Sequence, residues 1–181
     1  QGRMWVTEGL DFSHNPYQQL RVAGGQSIIV VTDGDGDGKA DKSHVFITEK
    51  SIRHAPLGIA VFDNKILLSV APDLIVYTDV NRNAVFDRGI DKREVFLTGF
   101  RGAWHDHTLH AVVGSPSGQW YFSYGNCGAD VRTKDDRRFV SSSFYHNSHQ
   151  TGIKSSDDHL YIGGLAMRIN PDGTGLTMVG Q

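Results

Sequence analysis

Ser27-Ile28-Ile29-Val30-Val31-Thr32 runs into Asp33-Gly34-Asp35-Gly36-Asp37-Gly38-Lys39-Ala40-Asp41, and the chain leaves through Ser43-His44-Val45-Phe46-Ile47-Thr48. The flanks are apolar and β-branched, so they read as strands and the acidic run as the turn between them. Acidic side chains stand at loop positions 1, 3, 5 and 9, with glycine at position 6. Alternate residues of a tightly wound loop aim at one centre, and carboxylates gathered there repel one another unless a hard cation joins them. Ca²⁺ takes about 6–8 oxygens at roughly 2.3–2.6 Å, and Asp33, Asp35, Asp37, the Lys39 carbonyl and Asp41 supply most of that set. Gly38 permits the positive φ of the sharp turn. Position 12, a glutamate in an EF-hand, is His44 here, and the flanks are not helical. The expectation is a calcium loop within a β-hairpin; the alternative is an Asp/Gly-rich turn without metal.

The order of strand, acidic turn and strand recurs. Gly2 to Thr7, Asn64 to Ser69 and Gly118 to Ser123 each begin on a turn residue and carry a large apolar centre. Their starts lie 62 and 54 residues apart, in the range of propeller blades. A second strand follows each one (Ser27 to Thr32, Leu74 to Thr78, Leu165 to Asn170), then an acidic turn, then a third strand (Ser43 to Thr48, Glu94 to Thr98, Leu176 to Val179). Leu57 to Phe62 and Leu109 to Val113 read as strands leading into the second and third units. No segment keeps an apolar 3.6-residue period over three turns. The expected fold is therefore all-β: a partial β-propeller spanning residues 1–181, with blades near 1–53, 54–103 and 104–181. That is about half of a six-bladed ring. A sandwich would not explain the repeated acidic turn.

The second turn, Asp79-Val80-Asn81-Arg82-Asn83-Ala84-Val85-Phe86-Asp87, keeps the oxygen spacing but trades two carboxylates for amides and the glycine for Ala84. With Asp79, Asn81, Asn83, the Val85 carbonyl and Asp87 as ligands, it reads as a degenerate, lower-affinity copy. The third, Asp172-Gly173-Thr174-Gly175, is short enough to be only a turn. Residues 126–160 break the pattern as a long polar insertion, either a functional loop or a solvated excursion.

Composition narrows the function. The chain has 181 residues, a net charge of −2, and 21 glycines and 5 prolines spread along it. The charge leaves no footprint for nucleic acid. The longest apolar runs fall far below the roughly 20 residues of a membrane helix. One cysteine, Cys127, excludes an internal disulfide framework and any CxxCH haem site within the chain, and reads as a small buried or loop residue. The chain begins and stops beside apolar strands, as a piece of a longer protein would.

Trp104-His105-Asp106-His107-Thr108-Leu109-His110 gathers three of the nine histidines. Imidazole accepts a proton near neutral pH or binds a transition metal. The leading reading is a catalytic or cofactor-contacting histidine. A zinc site of His105, His107 and His110 and simple hydrogen-bonding histidines are the alternatives. His14, His44, His54, His146, His149 and His159 default to surface or loop.

His107, followed by Val112-Val-Gly-Ser-Pro-Ser-Gly-Gln-Trp-Tyr-Phe-Ser-Tyr-Gly-Asn126, resembles the soluble quinoprotein glucose/sorbosone dehydrogenase superfamily. There a histidine precedes a segment of the type L-x-x-G-P-D-G-x-L-Y-x-x-x-G-D. The chain is more similar still to the propeller module of large planctomycete and verrucomicrobial dehydrogenase-like proteins, often linked to a C-terminal cytochrome c. Gly2 to Gly9, Asp33 to Lys42, Pro56 to Val61, Pro72 to Asp79, His105 to His110 and Gly164 to Leu176 carry that likeness. Ser115 and Ser117 depart from the superfamily's Gly and Asp, and Asn126 from its acidic residue. The resemblance implies a six-bladed propeller, pyrroloquinoline quinone (PQQ) as cofactor with structural Ca²⁺, and a periplasmic or exported location. It further implies oxidation of a sugar or alcohol, with electrons passing to an acceptor such as a cytochrome c domain; haem c would come only from such a further domain. His107 with Asp106 would be catalytic, and His105, His110 and Asn126 would contact the cofactor. The competing functions are a non-catalytic, calcium-stabilised propeller binding a glycan or protein partner, and a metal-dependent hydrolase using the three histidines.

Overall fold

The computed structural model describes residues 2–8, 25–52, 54–102, 106–143 and 150–181. Every strand or helix element defined among these residues is a β-strand. The first sheet joins β1 (Arg3–Thr7), β2 (Gln26–Thr32) and β3 (Lys42–Glu49) in that order. The second joins β4 (Gly58–Phe62), β5 (Lys65–Val70), β6 (Asp73–Thr78) and β7 (Lys92–Thr98), again in chain order and antiparallel throughout. The third runs β14 (Thr177–Gly180), β13 (Leu165–Ile169), β9 (Trp120–Tyr124), β8 (Val113–Gly114). A fourth, β10 (Ala129–Arg132), β11 (Arg138–Ser142) and β12 (Tyr161–Ile162), is built from the segment between β9 and β13.

The strands expected from period-two patterning are therefore present, with one shortened. The segment leading into β9 forms only the two residues of β8, with Leu109 bridging Tyr124 separately. Residues 126–160, read as a polar excursion, carry β10 and β11 and bury Cys127, Val131, Phe139 and Val140. The polar residues there bond within the protein. Asp130 takes a two-pronged ion pair from Arg138, both contacts 2.8 Å, and Ser141 Oγ donates to Gly163 O at 2.7 Å.

The second sheet is covered on both faces, and its alternation sorts side chains between two cores. Ile66, Leu68, Ile75 and Tyr77 meet Ile28, Val30 and Phe46 of the first sheet. Leu67, Leu74, Val76 and Phe96 meet Trp120, Phe122 and Met167 of the third and Val131 and Phe139 of the fourth. Three strand pairs carry the same irregularity. The β2–β3 ladder slips between Ile28 and Ile29, the β6–β7 ladder between Leu74 and Ile75, and the β13–β14 ladder between Ala166 and Met167. The unpaired residue is Phe46, Phe96 and Val179 in turn. A bulge lets the strand keep its ladder while turning one extra side chain toward the core. Phe46 thus meets Tyr77 and Phe86 edge-on, each at 5.9 Å, and Phe96 reaches Trp120 at 5.2 Å.

Candidate functional site

The β2–β3 turn winds around Asp33. Its Oδ1 accepts from the Gly36 N–H at 2.7 Å and its Oδ2 from the Gly38 N–H at 2.9 Å. Those amides, Gly38 foremost and then Gly36, hold the Asp33 carboxyl below the usual range. One carboxylate oxygen from each of Asp33, Asp35 and Asp37 lies within 4.8 Å of the others. Oxygens about 2.3–2.6 Å from a common Ca²⁺ stand at most about 4.6–5.2 Å apart, so the three fit one coordination sphere. Asp41 is turned instead to the Gly34 N–H at 3.2 Å, while the Lys39 N–H caps Asp37 at 2.8 Å.

The β6–β7 turn repeats the winding with different chemistry. Asp79, almost fully buried, accepts from the Asn83 and Ala84 N–H groups at 3.2 and 2.9 Å, and the Val85 N–H caps Asn83 Oδ1 at 2.8 Å. Ala84 takes the left-handed φ of 61° where the first loop has Gly38 at 88°. Asn81 and Asn83 each donate Nδ2 to Asp87 Oδ2 at 2.7 Å, and these two amides hold the Asp87 carboxyl down. This loop therefore satisfies its own carboxylate with amide N–H donors, as the amide substitutions foreshadow. Sequence spacing missed Asp91, which closes the loop by accepting from the Val80 and Asp87 N–H groups at 2.7 and 2.8 Å. His44, standing at position 12 of the first loop, reaches the Ala84 carbonyl through Nε2 at 2.9 Å and ties the loops together.

At the other end of the strands, β9 runs out into Gly125-Asn126-Cys127 against residues 106–110. The Gly125 N–H bonds Thr108 O at 3.0 Å, the Cys127 N–H bonds His107 O at 3.2 Å, and the His110 N–H bonds Ser123 O at 2.8 Å. A Cβ on Gly125 would stand 2.7 Å from the His107 carbonyl, so only glycine allows this approach. His107 Nδ1 meets Asn126 Oδ1 at 3.0 Å, and Asp106 Oδ1 lies 3.6 Å from His107 Nε2. Burial, then the Asp106 charge, pushes the Cys127 thiol up and keeps it protonated. The structure thus brings together His107, Asp106 and Asn126. His110 joins through its backbone, and His105 lies outside the described residues.

The sequence marks His54 only as a surface or loop residue, yet it stands where His107 stands in the next sheet. The Leu57 N–H bonds Ser69 O at 2.9 Å as the His110 N–H bonds Ser123 O, and each histidine is three residues before that donor. Gly58 and Ala111, the following residues, touch: a Cβ on Gly58 would lie 2.4 Å from Ala111 Cα. Aligning the lead-in strands on these bonds exposes the correspondence. Burial pushes the His54 imidazole down, toward the neutral form. Beside it, the walls of a cavity of about 450 Å³ include Ile52, Val70, Pro72 and Arg93. Arg93 pairs with Glu49, whose other partners are the Tyr77 hydroxyl at 3.0 Å and the Ser51 hydroxyl at 2.8 Å.

No helix among the described residues is long and apolar enough to cross a membrane. No curated protein matches the chain. Among solved structures, it is similar to an iodide structure of a Trichoderma reesei carbohydrate-active enzyme of family AA12. The identity is 12%, the TM-score is 0.43, and the match covers 94% of this chain and 39% of that one. The chain therefore spans about two fifths of that protein's length. A family match runs over residues 1–162, and the chain belongs to the family described as "Domain of unknown function (DUF7133)".

Proposed function

We propose that the chain is a calcium-stabilised β-propeller module of a dehydrogenase that oxidises a sugar or alcohol hydroxyl, with His107 as the general base. The propeller reading is supported by three sheets whose strands follow chain order, whose faces share two cores and whose ladders carry a matching bulge. The calcium reading is supported by the three converging carboxylates.

The catalytic reading rests on the His107–Asn126 contact. With the amide oxygen facing the ring, Nδ1 carries the proton and Nε2 the lone pair. A hydroxyl docked at Nε2 gives up its proton there, and Asp106 steadies the imidazolium that forms. As that proton leaves, the carbon would become a carbonyl and its hydride would pass to a two-electron acceptor, which the assay below supplies. PQQ, a polycarboxylate, asks for cations, whereas the groups described at His107 are an imidazole, an amide and a carboxylate. They fit a neutral hydroxyl substrate and not the carboxylates of PQQ, so no step is assigned to that group.

His107→Ala should lower turnover, measured with a saturating artificial electron acceptor, by roughly 10²–10⁴-fold. Calcium content and melting temperature should stay unchanged, because the metal loop lies at the opposite end of another sheet. Equal turnover in the variant would sink the catalytic reading. A second reading, a non-catalytic propeller that binds a glycan, is favoured by exposure: the side chains of His107 and Asp106 are 53% and 78% accessible. Glycan binding by a wild type that oxidises nothing would establish it.

A further inference from the structure

The two acidic loops share a backbone but not a residue at position 4. The first loop has Gly36 there, at φ 80°; the second has Arg82, at φ 60°. An arginine in the left-handed region is strained where glycine is not. The strained arginine makes an in-plane pair with Asp63, its two guanidinium nitrogens 2.6 Å from the two carboxylate oxygens. Asp63 itself sits at φ 56° in the β4–β5 turn. Two non-glycine residues in disfavoured conformations therefore face each other and hold one planar, polar surface in place.

That surface borders a cavity of about 320 Å³ between the first and second sheets, walled also by Trp5, Arg3, Asn64 and Ile66. The volume is at the small end of ligand sites. Two arginines and two aspartates, Asp63 and Asp79, line it, so its formal charge cancels and an anion gains nothing by entering. Asp63 offsets the Arg82 charge through two of its N–H groups, and the remaining N–H groups are left for neutral oxygens. What remains is an aromatic and aliphatic wall together with a set of planar donors and acceptors. A ring with an apolar C–H face and a rim of hydroxyls matches both halves.

We propose that this cavity binds a neutral pyranose ring, with Trp5 as the apolar wall and the Arg82–Asp63 pair as the hydroxyl-binding edge. It lies at the acidic-loop end of the sheets, away from His107, so binding here and oxidation there succeed or fail separately. The test is ligand-observed NMR and calorimetry with methyl β-D-glucopyranoside, methyl α-D-mannopyranoside and methyl β-D-xylopyranoside. At least one should bind the wild-type protein. Arg82→Gly, which adopts the same φ without strain, should weaken that binding at least tenfold without lowering the melting temperature. Asp63→Gly should do the same from the other side of the pair. The proposal is overturned if none of the three glycosides binds, or if both variants bind as tightly as the wild type.

Discussion

Asp33 and Asp79 occupy the first position of matching turns, and their neighbours set them apart. Asp33 is surrounded by carboxylates at positions 3 and 5, with glycines between them. Asp79 is surrounded by amides that donate hydrogen bonds to Asp87. The first turn sets four carboxylates against the single cation Lys39, whereas the second meets its carboxylates with amide and backbone N–H donors. Chelation should therefore lower the melting temperature of the wild type. Asp35→Ala, which removes one of the three converging oxygens, should abolish that sensitivity. Asn83→Ala, by contrast, should leave the chelator effect in place. Calcium content measured on dialysed protein alongside the melting curves checks all three. An unchanged wild-type curve and no bound calcium would reduce the first turn to a hydrogen-bonded loop.

The element that the sequence conceals is the fourth sheet. Strands β1 to β7 announce themselves by alternation between turn residues, because each packs one or both faces on apolar neighbours. In β10 and β11 the alternation is masked: Asp130 and Arg138 pair with each other, and Ser141 and Ser142 are buried. Buried hydroxyls read as solvated until their acceptors are seen, and Tyr161 O and Gly163 O come from a segment about 20 residues on. The candidate site was legible to the same degree. His107 and Asn126 lie 19 residues apart and meet, while Asp91 and His54 needed the fold to give them meaning. The fourth sheet is fastened to the second at Gly99, where the Asp130 N–H bonds Gly99 O at 2.9 Å. Gly99 has φ 113°, and a Cβ there would lie 2.0 Å from Asp130 O. Gly99→Ala should cost roughly 2–4 kcal/mol, from backbone strain and the forced retreat of β10. Urea melts should show the loss, and amide exchange should quicken first at Val131 and Val140. A variant that melts like the wild type would mean the two sheets are not joined there.

At the scale of the whole molecule, the two cores are asymmetric in what covers them. Phe46 and Phe96 are buried beneath the next sheet in the chain. Val179, at the matching bulge of the third sheet, is 47% exposed. On the first sheet, β1 pairs only with β2 among the described residues, and Met4 on it is 67% exposed. Open edges and uncovered apolar positions promote association. The 181-residue chain should therefore show a mass in light scattering that rises with concentration through the micromolar range. Val179→Lys should lower that mass. A strictly monomeric profile over the same range would contradict the open-ended reading.

The bulge also gives the stack a direction. The first and second sheets each offer a bulged phenylalanine to the sheet that follows, and the third presents Val179 at the matching place, so the two end faces of the stack differ as a plug differs from its socket. Contacts between unlike faces join copies nose to tail, and such contacts close only if the rotation per unit brings the last back to the first. Association of this chain should accordingly yield a ladder of species or a ring, and not a two-fold pair.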